Sequence, residues 1–370
     1  MRYFAAIVIG VLSGGLCYYM LTALPLVTPD GAQPAGDFTW ALRDARALLA
    51  GQEPYAFTPS IWSIPYPLTA AILALPLVSL PDALAAAVFF GLSSALLAYG
   101  VTRDQAWWRL LIFVSFPYWL SLQVAQWSPL LLAVLYWPAL APVLVAKPNL
   151  GIAIGLSIRW RCTTVLGVVG IIVLSLLARP TWPFEWVAML GPYSGRMPIA
   201  ILPLGPLLVL ALVAWRSAGA RFLMLLAVVP QRMFYDQLLL WWLPRSRRQM
   251  LGLTLSSWAV YALYAYAPAY WEQWMLGGLY LPALLVVLRA APGTIAQHRR
   301  TSVSGADRPL SSSHAIWRGI DITWIKTPFN QRGSAPRSAR PRASPVRSPD
   351  ARGPVRRCSR RQRRGPAARG

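Results

Sequence analysis

Residues 3–27 read YFAAIVIGVLSGGLCYYMLTALPLV, and this stretch decides the class of fold. No charge interrupts it, and Arg2 stands immediately before it. An apolar run of about 18 residues or more reads as a transmembrane helix. A secretory signal peptide is the other reading of an N-terminal apolar run. This run is longer than an ordinary signal core, and many apolar runs follow it, so we read it as a membrane anchor.

Working outward, further apolar runs fall at roughly 66–80, 83–101, 109–123, 128–146, 148–158, 162–178, 198–215, 221–243, 250–268 and 273–289. Several are shorter than the ~20 residues that span a bilayer. Many contain proline, including Pro76, Pro117, Pro138, Pro142, Pro203, Pro206 and Pro230. Broken helices at membrane depth persist only where they are buried in protein or line a cavity. The expected fold is therefore all-α and integral to a membrane, a bundle of about nine to twelve helices enclosing a polar cavity.

Composition agrees. The 370 residues are 56% hydrophobic and only 13% charged, about half the usual soluble fraction, yet the formal net charge is +23. The two properties are segregated. Residues 1–289 hold 17 Lys and Arg against 9 Asp and Glu, whereas residues 290–370 hold 18 against 3. A single basic domain that binds nucleic acid is thereby disfavoured, and two chemically different pieces meet near Arg289. Cys17, Cys162 and Cys358 lie far apart with no paired spacing; the first two sit in apolar runs and read as small hydrophobes.

Basic residues beside the spans set orientation. Arg2, the Arg245, Arg247, Arg248 group, and Arg289, Arg299, Arg300 mark cytoplasmic ends, so the segment 28–65 is expected outside. Arg216 and Arg221 stand too close before residue 245 for one clean crossing each way, which leaves the topology of 198–248 open. The setting implied is a plasma (inner) membrane, with the chain passing many times and its C-terminus cytoplasmic.

The segment 28–65 holds Asp30, Asp37, Asp44 and Glu53. Within it, DFTWALRDARALLAG places Phe38, Ala41, Leu42, Ala45, Leu48 and Leu49 at the spacing of an amphipathic helix, with Gly51 as its stop. Such a helix is expected flat on the membrane, apolar face down. Asp37 just before the periodic residues reads either as an N-cap or as a catalytic carboxylate above the cavity. One group can do both, although a carboxylate that accepts helix N–H bonds is a weaker base.

The string GDFTWALRDARALLAGQEPY resembles the first extracytoplasmic loop of GT-C glycosyltransferases, most closely family 87, the polyprenyl-phosphate-mannose-dependent α-mannosyltransferases. That family shows an Asp, a helix ending in LL-G-x-x-PY, and then YPP; this chain has Leu48-Leu49-Ala50-Gly51-Gln52-Glu53-Pro54-Tyr55 and then Tyr66-Pro67-Leu68. The family's GQ-x-N is matched by Ala125-Gln126-Trp127-Ser128, and its Lys-Pro pair by Lys147-Pro148. The likeness runs in order over roughly residues 1–250. The family's Ser-Trp-x-His-His phrase departs: the matching stretch is Pro230-Gln231-Arg232-Met233-Phe234-Tyr235-Asp236-Gln237, so the His role is vacant or falls to Tyr235 or Asp236.

What the resemblance implies is transfer of a hexose, mannose first, from a polyprenyl-phosphate sugar donor to a lipid or glycan acceptor. That chemistry asks for a general base at the acceptor hydroxyl and a cation at the leaving phosphate. Asp37 is the candidate base, with Asp44 and Glu53 in reserve. Asp44 shares its helix face two turns on, and pairing with Arg43 or Arg46 at the surface is its plainer reading. Lys147, the only lysine before Lys326, is the candidate phosphate ligand; a lysine snorkelling from a helix end is the alternative. Arg232 and Asp236, four apart, are candidates that could instead neutralise each other on a helix. Gln126 and Tyr235 complete the set. No metal or other cofactor is expected, because no His, Cys or acid cluster has ligand spacing.

The tail is a different material. Arg, Pro, Ala, Ser and Gly make up 34 of the 40 residues 331–370, a composition that cannot bury a core. Contact with anionic membrane lipid, nonspecific contact with nucleic acid, and an accidental GC-rich extension are its three readings; specific nucleic-acid binding is not expected, since stacking aromatics are missing. Two functions stand beside the transferase: a transporter or flippase of lipid-linked sugars, which should show internal repeats, and a degenerate inactive family member.

Overall fold

The computed structural model describes residues 1–24, 37–56, 65–191, 195–232 and 234–290. They belong to one compact unit, residues 1–307; the second unit, residues 308–370, lies outside them. The basic tail, the ends of the 28–65 segment with Asp30, and Met233 thus fall outside the described residues.

The described residues are helical and form no strand; the one β-bridge joins Arg196 to Gln231. The helices are α1 (Arg2–Ala23), α2 (Asp37–Leu49), α3 (Leu68–Ala74), α4 (Asp82–Val101), α5 (Phe116–Gln123), α6 (Ser128–Val134), α7 (Pro148–Gly155), α8 (Cys162–Ala178), α9 (Trp182–Ala188), α10 (Ala218–Val228), α11 (Arg247–Tyr266), α12 (Trp271–Met275) and α13 (Leu281–Ala290). Three stretches are long and apolar enough to cross a membrane: α1, α4 and Pro268–Ala290. The pair α8 and α9, bent by 88°, forms a fourth if taken together.

Expected runs are interrupted where proline removes a backbone donor. The run 128–146 divides into α6 and a 3-10 segment starting at Pro138, and the run 221–243 divides at Pro230. The stretch left open by sequence is now a chain path. Helix α10 has 11 residues, about 16 Å, roughly half a hydrocarbon layer. It ends at Val228, the chain turns over Pro230, and the 3-10 segment Asp236–Trp242 returns toward Arg245.

Helices α1 and α4 pack antiparallel and close. A Cβ on Gly10 would stand 2.8 Å from the Ala95 Cβ, and one on Gly14 would stand 2.9 Å from the Ala87 carbonyl oxygen. Small residues that let backbones approach are how helices associate without a hydrophobic drive. The outer surface is correspondingly apolar. In α8 the buried residues are Thr164 and Ser175, while Leu166, Leu174 and Leu177 are exposed. That inverts the pattern of a helix in water and suits an all-α membrane protein.

Helix α2 departs from expectation. Its apolar face does not turn toward lipid but is buried in protein, with Phe38, Ala41, Leu42 and Ala45 nearly inaccessible. Phe38 stacks on Phe89 of α4 at 4.0 Å, and Arg46 reaches Asp82 and the Val78 and Leu80 carbonyls. The helix stops where sequence places the stop, with Gly51 at φ +65°.

Charge is divided between the two ends. At the end formed by the start of α1 and the finish of α4, Arg2 donates to the Tyr99 carbonyl, Tyr99 stacks on Trp137, and Arg103 lies over Trp137. Arg109 and Arg245 join them around Tyr136 and Trp242. The starts of α8, α10 and α11 and the finish of α13 bring Arg161, Arg216, Arg221, Arg247, Arg248 and Arg289 to the same end. Asp104 is the only acid there among the described residues. The opposite end carries the other described acids.

Candidate functional site

At the acidic end, four segments distant in sequence deliver polar side chains to one cavity of about 230 Å³. Asp37 begins α2; Gln126 lies between α5 and α6; Lys147 precedes α7; and Arg232, Tyr235 and Asp236 follow α10. Asp37, Lys147, Arg232 and Tyr235 line the cavity together with Trp40, Tyr66, Asn149 and Trp186.

Local sequence explains each placement. Pro148 starts α7, since its missing N–H would have no helical partner there, and it keeps Lys147 out of the helical conformation (φ −140°, ψ 76°). The Lys147 ammonium is thereby aimed inward, not out to an interface; the residue is only 8% exposed. Ala125 adopts φ +45°, a left-handed conformation that favours glycine. This turn sets the fully buried Gln126 in the centre of the site.

Gln126 joins the two charged parts. Its Nε2 donates to the Asp37 carboxylate. Its Oε1 accepts from the Lys147 ammonium at 3.2 Å, from the Trp127 backbone N–H at 2.8 Å and from the Tyr66 hydroxyl at 3.4 Å. Lys147 also donates to Asp236 Oδ1 at 2.6 Å, and its Nζ lies 5.0 Å from the centre of the Tyr235 ring. Asp236 Oδ2 accepts the Arg232 backbone N–H at 2.9 Å. A buried ion pair offsets its desolvation only when further hydrogen bonds complete both partners, and here both have them.

The pairing corrects two expectations. Arg232 and Asp236 are not a helical side-chain pair: the carboxylate takes the Arg232 backbone and the Lys147 side chain, because Arg232 is not helical and Phe234 and Tyr235 form a turn before the 3-10 segment. Asp44 keeps Arg43 as an ion-pair partner, but not at the surface. It is 2% exposed, its Oδ1 has no hydrogen-bond partner, and Arg43 Nη2 approaches only to 3.9 Å. Burial pushes the Asp44 carboxyl up to about 7, with Arg43 opposing. Arg46 goes to Asp82 instead. Glu53 is exposed and paired with Arg179, which also holds Glu185 at 2.5 Å. Neither Asp44 nor Glu53 lines the cavity.

Sequence reasoning passed over the residues that hold this geometry. Asn149 Nδ2 donates to the Pro230 carbonyl at 2.7 Å, tying α7 to the return of α10. Trp186 Nε1 donates to the Pro65 carbonyl at 3.0 Å. Buried Gln231 accepts from Tyr280 at 2.7 Å and from Gln237 at 2.9 Å. Their one sequence signal was a polar side chain inside an apolar run, which marks a buried partner without naming it. Burial raises the Tyr66 hydroxyl well above its ordinary range, so it acts here as a neutral donor. Among the described residues no three His, Cys, Asp or Glu side chains gather as a metal site. No family model, no curated protein and no solved structure matches this chain.

Proposed function

We propose that this chain is an integral membrane glycosyltransferase that moves a hexose, mannose by the family resemblance, from a polyprenyl-phosphate carrier to a lipid or glycan hydroxyl. The observation that carries the reading is the convergence of a half-buried carboxylate, Asp37, and a buried ammonium, Lys147, on one cavity through a shared glutamine. The volume lies below the roughly 300–1,000 Å³ of drug-sized pockets, which suits one sugar unit and not a whole carrier.

The roles follow from charge. Asp37 accepts the proton of the acceptor hydroxyl as its oxygen bonds to the anomeric carbon. The bond from that carbon to the phosphate oxygen breaks, and the carrier phosphate leaves with the electron pair. Lys147 and Arg232 stabilise the phosphate, since charged donors in a dry site act most strongly on developing charge. Asp236 holds the ammonium in place until phosphate competes for it, and Gln126 fixes the Asp37 carboxylate. The arginine-rich end belongs in the cytoplasm by the positive-inside rule, so the cavity faces the extracytoplasmic side of the plasma membrane.

Membranes containing the protein, given radiolabelled polyprenyl-phosphate mannose, should transfer label to lipid or glycan. Asp37→Asn should lower the rate by about 10²–10⁴-fold. Equal transfer by the variant removes Asp37 as base. Label that crosses sealed vesicles still attached to its carrier, with no transfer, establishes the flippase instead.

A further inference from the structure

A second concavity lies at the other end of the molecule, and the transferase reading does not use it. It is a groove of about 420 Å³ between the 3-10 segment Gly205–Ala214 and α10, closed on one side by the finish of α7. Its wall is apolar: Leu156, Leu212, Met224, Leu225 and Val228. Ser157, Trp215 and Arg221 stand at its mouth. The Arg221 guanidinium is exposed and donates through Nη1 to the carbonyls of Trp215 and Arg216, at 3.2 and 2.9 Å, which fixes it over the opening.

Charge decides the occupant. Arg216 and Arg221 adjoin the mouth, and Arg159 and Arg161 follow Ser157 within four residues. A second copy of this end would bring its own arginines, and the chain's C-terminal residues 290–370 are themselves strongly basic. Both repel. An apolar trench about 16 Å long, the length of α10, with a cationic mouth fits an acyl chain joined to an anionic head.

We propose that this groove binds one anionic phospholipid, its phosphodiester at Arg216 and Arg221 and one acyl chain along Leu212, Leu225 and Val228. Helix α10 leads directly to Pro230 in the wall of the polar cavity, so the lipid seats against the helix that precedes Arg232 and Asp236 in the chain.

The test uses the full-length protein in detergent, offered equal amounts of phosphatidylglycerol and phosphatidylcholine, with retained lipid counted by native mass spectrometry. The wild type should retain phosphatidylglycerol in preference. Removing one arginine, as in Arg221→Gln, should lower that preference by about fivefold, and Arg216→Gln with Arg221→Gln by more. Ser157→Trp, which fills the mouth and leaves every charge, should abolish retention, whereas Arg103→Gln, at the same end but away from the groove, should not alter it. Equal retention of both lipids by the wild type overturns the proposal. So does an effect of Arg103→Gln as large as that of Arg221→Gln, which reduces the preference to general charge. None of these readouts depends on sugar transfer.

Discussion

Among the ion pairs at the acidic end, two groups differ in one telling respect. Lys147 with Asp236 is buried, at 9% and 0% side-chain exposure. Arg179 with Glu53 and Glu185 faces outward, Glu53 being 61% exposed. Both tie together segments far apart in sequence. Water screens the outer cluster, so it works as a tether between the turn after α2 and the bend before α9. Water is excluded from the inner one, so its charges are strong, and each depends on the other. Asp44 lies between these cases: it is as buried as the first pair, but its countercharge Arg43 stands off at 3.9 Å and its Oδ1 accepts no hydrogen bond. Burial with completed hydrogen bonds builds a usable charge, whereas burial without them pushes a carboxyl toward its neutral form.

Breaking the inner pair should have the largest effect. Asp236→Ala strands the Lys147 ammonium and should destabilise the protein by about 3–5 kcal/mol in thermal unfolding in detergent. Lys147→Met with Asp236→Leu should recover most of that stability while transfer stays lost. A double variant as unstable as Asp236→Ala would mean the cost is packing and not charge.

Asp44 sharpens the intermediate case through pH. Its folded carboxyl titrates near 7, above its ordinary 3.8. A raised carboxyl favours the protonated folded state, so its contribution is fully present below about pH 4 and is lost as pH rises toward 7. Asp44→Asn should remove this slope and leave the variant more stable at pH 8, by about 2 kcal/mol. An unchanged slope between pH 4 and 7 would show that Asp44 is not the titrating group.

Smaller effects follow. Ala125→Gly relieves the left-handed backbone beneath Gln126 and should raise stability by about 0.5–1 kcal/mol with transfer retained. A loss of stability would mean the alanine methyl packs favourably enough to outweigh its conformation. Glu53→Gln in the outer cluster should change stability by less than about 1 kcal/mol and leave the transfer rate unaltered, and any effect should shrink further in high salt. A large loss of transfer would bring Glu53 back toward the chemistry.

Much of the fold was legible because its signals are local. The α1 run, the Gly51 stop and the proline breaks at Pro138 and Pro230 each rest on a few neighbouring residues. The site was legible only in part. Asp37 and Lys147 stand out as scarce charges in apolar sequence, and both line the cavity. Arg232 is the nearest countercharge to Asp236 along the chain, yet the Asp236 carboxylate takes the Arg232 backbone N–H and the Lys147 ammonium. A lysine and an aspartate each buried in apolar runs need partners, and this requirement pointed to each other.

By itself the sequence determined the material of this protein: apolar helices, where they break, and a basic tail set apart from them. It also determined which few polar residues must be accommodated. Only the tertiary structure decided which of them meet. Residues 37 and 126, or 147 and 236, are 89 positions apart. Whether such groups touch depends on helix packing between them, a sum of many weak contacts that no local pattern encodes. The same packing turned α2 into the protein instead of onto the membrane, carrying Asp37 to the cavity and Asp44 out of reach of water.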